Sequence, residues 1–319
     1  CYLPDGVLAT GWQEIDGKRY YFGDDGRMQT GFTNIGGDIY YLDNDGQPLT
    51  GDAFIGENRY HFSEEGVMLT GWLTSEDGTR YYQADGTMAT AWQEIGGKRY
   101  YFGENGAATT GWYQEGEYSY YFLEDGSAAV GPTEIDGETH FFTPKGMEVI
   151  LVNAAHPIPD YYTANPVIVV DWHRVDQRCY EPLMQMLSDC SGAGIEYIFN
   201  CGYRTMQEQT DILEKRTQEH MKEFDLDFDE ARKKALETVA VPGTSEHQMG
   251  LAVDISGEEA NAWLAEHCWE YGFILRYTEE KAEITGITNE PWHFRYVGKE
   301  ISMDMKGSGL CLEEYLGAV

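Results

Sequence analysis

The chain has 319 residues, enough for about two domains, and carries 22 basic against 55 acidic residues, a formal net charge of −33. The acidity is even, with 25 acids and 8 bases in residues 1–150 and 30 and 14 in residues 151–319. Neither half therefore offers the basic patch that nucleic acid or an anionic membrane needs, and a solvated acidic surface is the plain reading.

No apolar run approaches the ~20 residues of a membrane span. The six cysteines are neither close-spaced nor arranged as CxxC, which argues against a disulfide scaffold and a thiolate zinc site. Buried free thiols are the expectation for Cys179, Cys190, Cys201, Cys268 and Cys311, although a disulfide would suit an exported protein.

The chain opens inside a repeat. Cys1-Tyr2-Leu3-Pro4-Asp5-Gly6 reads as the tail of a unit that starts upstream, so the sequence reads as part of a longer protein, with no signal peptide visible in it. A glycine, or alanine at 91, then recurs every 20 residues and is usually followed by an aromatic: Gly11-Trp12, Gly31-Phe32, Gly51, Gly71-Trp72, Ala91-Trp92, Gly111-Trp112 and Gly131. Tyrosine pairs such as Tyr20-Tyr21 and Tyr100-Tyr101, with Tyr60-His61 as the variant, precede turn signals from Asp25-Gly26 to Asp125-Gly126. Short aromatic strands joined by Asp-Gly or Gly-Gly are hairpins. One such hairpin cannot bury a core, but stacked units can, so residues 1–150 are expected to form a β-hairpin solenoid.

These units resemble the cell-wall-binding repeats of choline-binding proteins, streptococcal glucan-binding proteins and clostridial toxins. The resemblance implies ligand sites between hairpins, with Trp12, Tyr21, Trp72, Trp92, Tyr101, Trp112 and Tyr121 as candidates. Choline-binding members cage a quaternary ammonium by cation–π attraction and usually carry a second tryptophan just before the tyrosine pair. Here that position holds Arg19, Ile39, Arg59, Arg80, Arg99 and Ser119. The expected ligand shifts accordingly from choline towards a wall glycan or teichoic acid. Aromatics that only pack one repeat on the next are the alternative.

The repeats decay at Gly131-Pro132 and Thr143-Pro144-Lys145-Gly146, and Asn153 to Asn165 reads as a linker. Val167 to Val170 reads as a strand. The spacing Tyr180, Leu183, Met184, Leu187 predicts a helix from Asp176 that Gly192 and Gly194 end. A strand over Ile195 to Phe199 leads to Cys201-Gly202-Tyr203-Arg204. Helices follow over Thr205–Phe224 and Asp229–Val239, the second capped by Asp229. Val241-Pro242-Gly243 breaks the chain before Thr244-Ser245-Glu246-His247-Gln248-Met249-Gly250-Leu251-Ala252-Val253-Asp254. Beyond it come a helix from Ser256, a strand over Phe273–Tyr277 and a short closing helix over Cys311–Leu316.

Alternation after Gly250 puts Leu251, Val253 and Ile255 on one strand face and Asp254 on the other. In Glu290-Pro291-Trp292-His293-Phe294-Arg295 it puts His293 and Arg295 together. His247, Asp254 and His293 make an open zinc site, three ligands and one free position, with Glu290 as the base that a bound water needs. His156, His173, His220 and His267 have no partner at metal spacing. Ser245 is either a substrate contact or a turn-stabilising hydroxyl.

The SxHxxGxAxD pattern (Ser245, His247, Gly250, Ala252, Asp254), the ExWH of Glu290, Trp292 and His293, and Gly202-Tyr203-Arg204 upstream resemble the VanY-type D-alanyl-D-alanine carboxypeptidases of the lysostaphin/D-Ala-D-Ala peptidase/Hedgehog zinc superfamily. The resemblance covers about residues 154–319. It implies a multidomain chain whose residues 151–319 form an α+β zinc D,D-carboxypeptidase domain with a small antiparallel sheet. It also implies that Arg204, assisted by Gln209, holds the C-terminal carboxylate of a peptidoglycan stem peptide, that Tyr277 lines the cleft and that Trp292 packs its wall. A planar guanidinium suits a carboxylate end. Removal of the terminal D-alanine outside the cell, at the wall, is the expected function. An L,D-carboxypeptidase acting on tetrapeptide stems, or a wall-binding protein with an inert zinc domain, are the alternatives.

Overall fold

The computed structural model describes residues 6–319, so the reading of Cys1 to Asp5 as the end of a repeat lies outside the described residues. Two compact units emerge, residues 1–113 with 122–128, and residues 114–121 with 129–319.

The repeats are hairpins of five-residue strands, beginning with Gly11–Ile15 paired to Lys18–Phe22 and recurring from Gly31, Gly51, Gly71, Ala91, Gly111 and Gly131. Their tight turns take the left-handed conformation that a two-residue hairpin loop requires, as at Asp16 (φ 54°) and Gly17 (φ 74°). Each hairpin buries the side chain that ends its second strand: Phe22, Leu42, Phe62, Tyr82, Phe102, Phe122 and Phe142. Successive units are stitched by backbone bonds two hairpin strands apart, Met68 N to Ile39 O at 2.7 Å and Met88 N to Arg59 O at 2.8 Å. The Asp-Gly and Asn-Gly turns that follow the hairpins have a second purpose. A Cβ at Gly86 would stand 2.2 Å from the Met68 sulfur, and one at Gly106 2.3 Å from that of Met88, so glycine is what lets one repeat's methionine pack on the next.

In the second unit a hairpin, β1 (Pro166–Val170) and β2 (His173–Asp176), leads into helix α1 (Gln177–Gly192). Asp176 caps α1 by accepting from the Arg178 amide. Strand β3 covers Ile198–Cys201, later than the expected Ile195–Phe199. Its partner β4 (Ala252–Ser256) begins pairing only at Ser256 opposite Ile198, leaving Ile195 to Tyr197 no ladder to join. Helix α2 (Met206–Phe224) starts in a capping box of Thr205 and Glu208. Helix α3 (Phe228–Ala235) is capped by Asp227, not Asp229, which lies in its first turn.

Helix α4 (Glu258–His267), strand β5 (Phe273–Tyr277), strand β6 (Glu290–Tyr296) and helix α5 (Lys299–Met305) complete the unit with a last turn of helix, Leu312–Tyr315. The sheet runs β3-β4-β6-β5, antiparallel throughout. One face buries Val253, Ile255, Phe294 and Phe273 against Cys179, Leu183, Met186 and Leu187 of α1 and Leu264 of α4. The other face is left for chemistry. Leu151 and Val152, just before the expected linker, are fully buried in this unit. The five described cysteines are all free thiols.

Candidate metal and peptidase site

Asp254 on β4 stands directly opposite His293 on β6, which is how the alternation of two distant stretches brings carboxylate and imidazole to one face. His247 comes from the 3-10 turn Glu246–Met249. The turn ends at Gly250 in the left-handed region (φ 72°), where a Cβ would press on the Asp176 amide at 2.8 Å.

His247 Nε2 lies 3.3 Å from one Asp254 oxygen and His293 Nδ1 3.2 Å from the other. The far nitrogen of each ring is already engaged: His247 Nδ1 donates to the Gly202 carbonyl at 2.9 Å, and His293 Nε2 faces Glu246 Oε2 at 3.2 Å. These outer contacts fix each tautomer so that a lone pair points to the common centre, as metal-ligating histidines require. Asp254 Oδ1 is buried with no hydrogen-bond partner among the described residues.

The electrostatics say the same. Burial opposes charge on His247, yet the Asp254 and Cys201 groups outweigh it and raise the ring to about 10. Burial likewise works against His293, which Asp254 and Glu246 nevertheless push up. Asp254 is held well below the usual carboxylate range, against its own burial, by the two imidazoles. This centre demands positive charge, and a divalent cation supplies it without protonating the rings. Two imidazoles and one carboxylate are a donor set that zinc accepts, so the residues fit the ion.

Glu290 is 3.6 Å from His293 Nδ1, and burial raises its carboxyl above the ordinary glutamate range despite the neighbouring imidazole of His293. Arg204 donates to Cys201 Sγ at 3.0 Å and Gln209 Oε1 at 3.3 Å, and reaches Asp254 Oδ2 at 3.4 Å. Gln209 is buried and anchored through Nε2 on the Ala240 carbonyl. The Tyr277 ring centre lies 4.9 Å from that of His293. Ser245 is buried, while Trp292 near the start of β6 is 40% exposed.

Two neighbours had no role in the sequence reading. The Cys201 sulfur lies within 4.8 Å of the ligand atoms of His247 and Asp254. Its thiol is drawn below the ordinary range, against burial, by His247 and Arg204. Glu246 is buried between Arg276 and Arg295, which both donate to its Oε1, at 2.9 and 3.0 Å. They hold it well below the normal carboxylate range although burial opposes that. Only adjacency to His247 in sequence marked it.

In the repeats, Trp12 packs edge-on against Tyr21 and Tyr40 at 5.2 and 5.1 Å, Trp72 against Tyr81 and Tyr100 at 4.9 and 5.0 Å, and Trp92 against Tyr101 at 5.4 Å. Trp112 is 46% exposed and Tyr121 packs on the Ala129, Ile135 and Phe142 cluster. The Arg19 guanidinium covers the Trp12 ring at 3.7 Å and Arg99 that of Trp92 at 4.3 Å. In the third unit Asp52 and His61 replace the aromatics and bond to each other at 2.7 Å.

Residues 172–299 match the family described as D-alanyl-D-alanine carboxypeptidase, VanY. A solved VanYB structure in complex with D-alanine-D-alanine is 41% identical, covering 53% of this chain and 96% of that one, with a TM-score of 0.50. The chain belongs to the VanY D-alanyl-D-alanine carboxypeptidase family. A mutant of the vancomycin-resistance D,D-pentapeptidase VanY from a VanB-type cassette, in complex with Zn(II), matches at 42% identity over 52% of this chain and 97% of that one, also with a TM-score of 0.50. Among curated VanY relatives, the D-alanyl-D-alanine carboxypeptidase of Enterococcus faecalis is 44% identical over 176 residues, 53% of this chain, and that of Enterococcus faecium 31% over 191 residues, also 53%. The chain spans 65% and 57% of the length of these two proteins. Ahead of the VanY domain, residues 9–51, 49–91 and 89–131 match the choline-binding repeat.

Proposed function

We propose that this chain is a zinc-dependent carboxypeptidase that removes the terminal D-alanine from peptidoglycan stem peptides outside the cell. In this division of labour residues 1–150 bind the wall and residues 151–319 carry the chemistry. The observation that supports it most is the convergence of two tautomer-locked imidazoles on the two oxygens of Asp254, with Glu290 beside them.

His247, Asp254 and His293 would hold the zinc, which supplies Lewis acidity and an acidified water when bound. Glu290 accepts a proton from the attacking water and delivers it to the leaving amine; a carboxyl raised by burial suits both directions. Arg204, steadied by Gln209, takes the free carboxylate of the substrate and so restricts the site to chain ends. Tyr277, and Ser245 and Trp292 by position, shape the cleft around the terminal residues.

The repeats raise the local concentration of stem peptide without new contacts at the active centre. Guanidinium groups already occupy the faces of Trp12 and Trp92. That favours a wall glycan or teichoic acid over choline at those two positions.

The test is release of free D-alanine from pentapeptide and tetrapeptide stems, with zinc, with chelator, and with Glu290→Gln. Chelator-sensitive release from the pentapeptide, lost in Glu290→Gln, supports the D,D reading. Preference for the tetrapeptide replaces it with the L,D reading, and no release from either stem by zinc-loaded protein removes the peptidase reading.

A further inference from the structure

A chain of buried charges runs from His293 to the segment that follows the last hairpin. Glu246 presents Oε2 to His293 Nε2 at 3.2 Å, and its Oε1 accepts from Arg276 Nε at 2.9 Å and from Arg295 Nη1 at 3.0 Å. The two remaining Arg276 nitrogens bond both oxygens of Glu313, at 2.9 and 2.6 Å. The outer ends of this network rest on residues that precede β1. Arg295 Nη2 donates to the Ile150 carbonyl at 2.9 Å, and Asn153 Nδ2 donates to Glu313 Oε1 at 3.1 Å.

All four charged side chains are at most 2% exposed. Two guanidiniums and two carboxylates balance, and such a buried set holds one arrangement only while every member is paired. The division of oxygens at Glu246 carries the consequence. Because both arginines engage Oε1, Oε2 is left for the imidazole, and His293 must then offer Nδ1 to the centre it shares with Asp254.

We propose that the 150–153 segment is a positioning element of the metal site: through Arg295 and Glu313 it sets the Glu246 carboxylate, and through that the orientation of His293. The inference rests on His293 being a ligand. It makes the stretch after the last hairpin part of the ion-holding machinery, although it touches neither ligand nor substrate.

The experiment is zinc affinity of the full chain, measured by competition with a chelating dye, for the parent, Asn153→Ala, Glu313→Gln and His156→Ala. Thermal unfolding of each metal-free protein is recorded in parallel. Loss of an outer-shell partner of a metal ligand typically weakens binding about 10–100-fold. Glu313→Gln is expected in that range, and Asn153→Ala at its lower edge. His156→Ala, three residues beyond that segment and outside the network, is expected to match the parent. Excess zinc should restore the turnover of Asn153→Ala, which separates a misplaced ligand from damaged chemistry.

Parental zinc affinity in folded Asn153→Ala and Glu313→Gln, whatever their unfolding temperatures, overturns the proposal. If Glu313→Gln fails to fold, Asn153→Ala decides alone. A parent chain that binds no zinc overturns the metal reading itself, a different outcome from zinc bound equally well by all variants.

Discussion

Gly202→Ala should destabilise the unit that carries His247. Its new methyl would sit 2.1 Å from the Arg174 carbonyl oxygen and 3.0 Å from Val175 Cγ1. Carbon and oxygen need about 3 Å or more, so one strand must move by roughly 1 Å. The Arg174 carbonyl cannot withdraw freely, because it accepts from the Tyr203 amide at 2.5 Å. Gly202 cannot withdraw either, because its own carbonyl accepts from His247 Nδ1. Overpacking costs about 1–3 kcal/mol, and a buried imidazole left without its acceptor a further ~1–3 kcal/mol, so the sum is roughly 2–6 kcal/mol. For a unit of this size each kcal/mol lowers Tm by about 2–4 °C, which predicts a fall of about 4–24 °C. Zinc affinity should drop as well, since the displaced carbonyl no longer selects the His247 tautomer. Calorimetry of the catalytic transition with and without zinc, paired with dye competition, measures both. A variant that unfolds within ~1 °C of the parent and binds zinc equally would refute the reasoning.

Arg204→Lys keeps the charge but loses the planar fork, and should lower kcat/KM on stem peptides by about 10–100-fold, mostly through KM; an unchanged KM would remove Arg204 from carboxylate binding. Thiol labelling reads a second electrostatic consequence. Burial pushes Cys179 and Cys268 up to about 12 and Cys311 up to about 11, whereas Cys201 is lowered. Because the thiolate is the reactive form, iodoacetamide should modify Cys201 ahead of those three as pH rises towards 8, read by peptide mass spectrometry. Labelling of Cys179 at the same rate would contradict the assigned environments.

Legibility followed the range of the interaction. The 20-residue period announced the hairpins because turn chemistry is local: Asp16-Gly17 needs only its own left-handed backbone. Helix α2 began one residue after the threonine that caps it, again a local bond between Thr205 and Glu208. The meeting of Asp254 and His293 was legible for a related reason, since strand alternation fixes which side chains share a face once two strands pair.

What depended on partners far along the chain was not legible. Strand β3 starts at Ile198 because that is where β4 runs out. Cys201 became a neighbour of His247 and Asp254 only because β3 lies beside β4.

The sequence by itself therefore determined the repeat architecture and the family, and pointed to the three residues proposed to hold zinc and to their proposed base, all written in short-range periodicity and motif. Tertiary structure alone decided how those residues are held. Glu246 finds its arginines 30 and 49 positions away, and no local pattern records which buried charges will meet when the sheet closes, because that pairing is set by packing and not by backbone geometry.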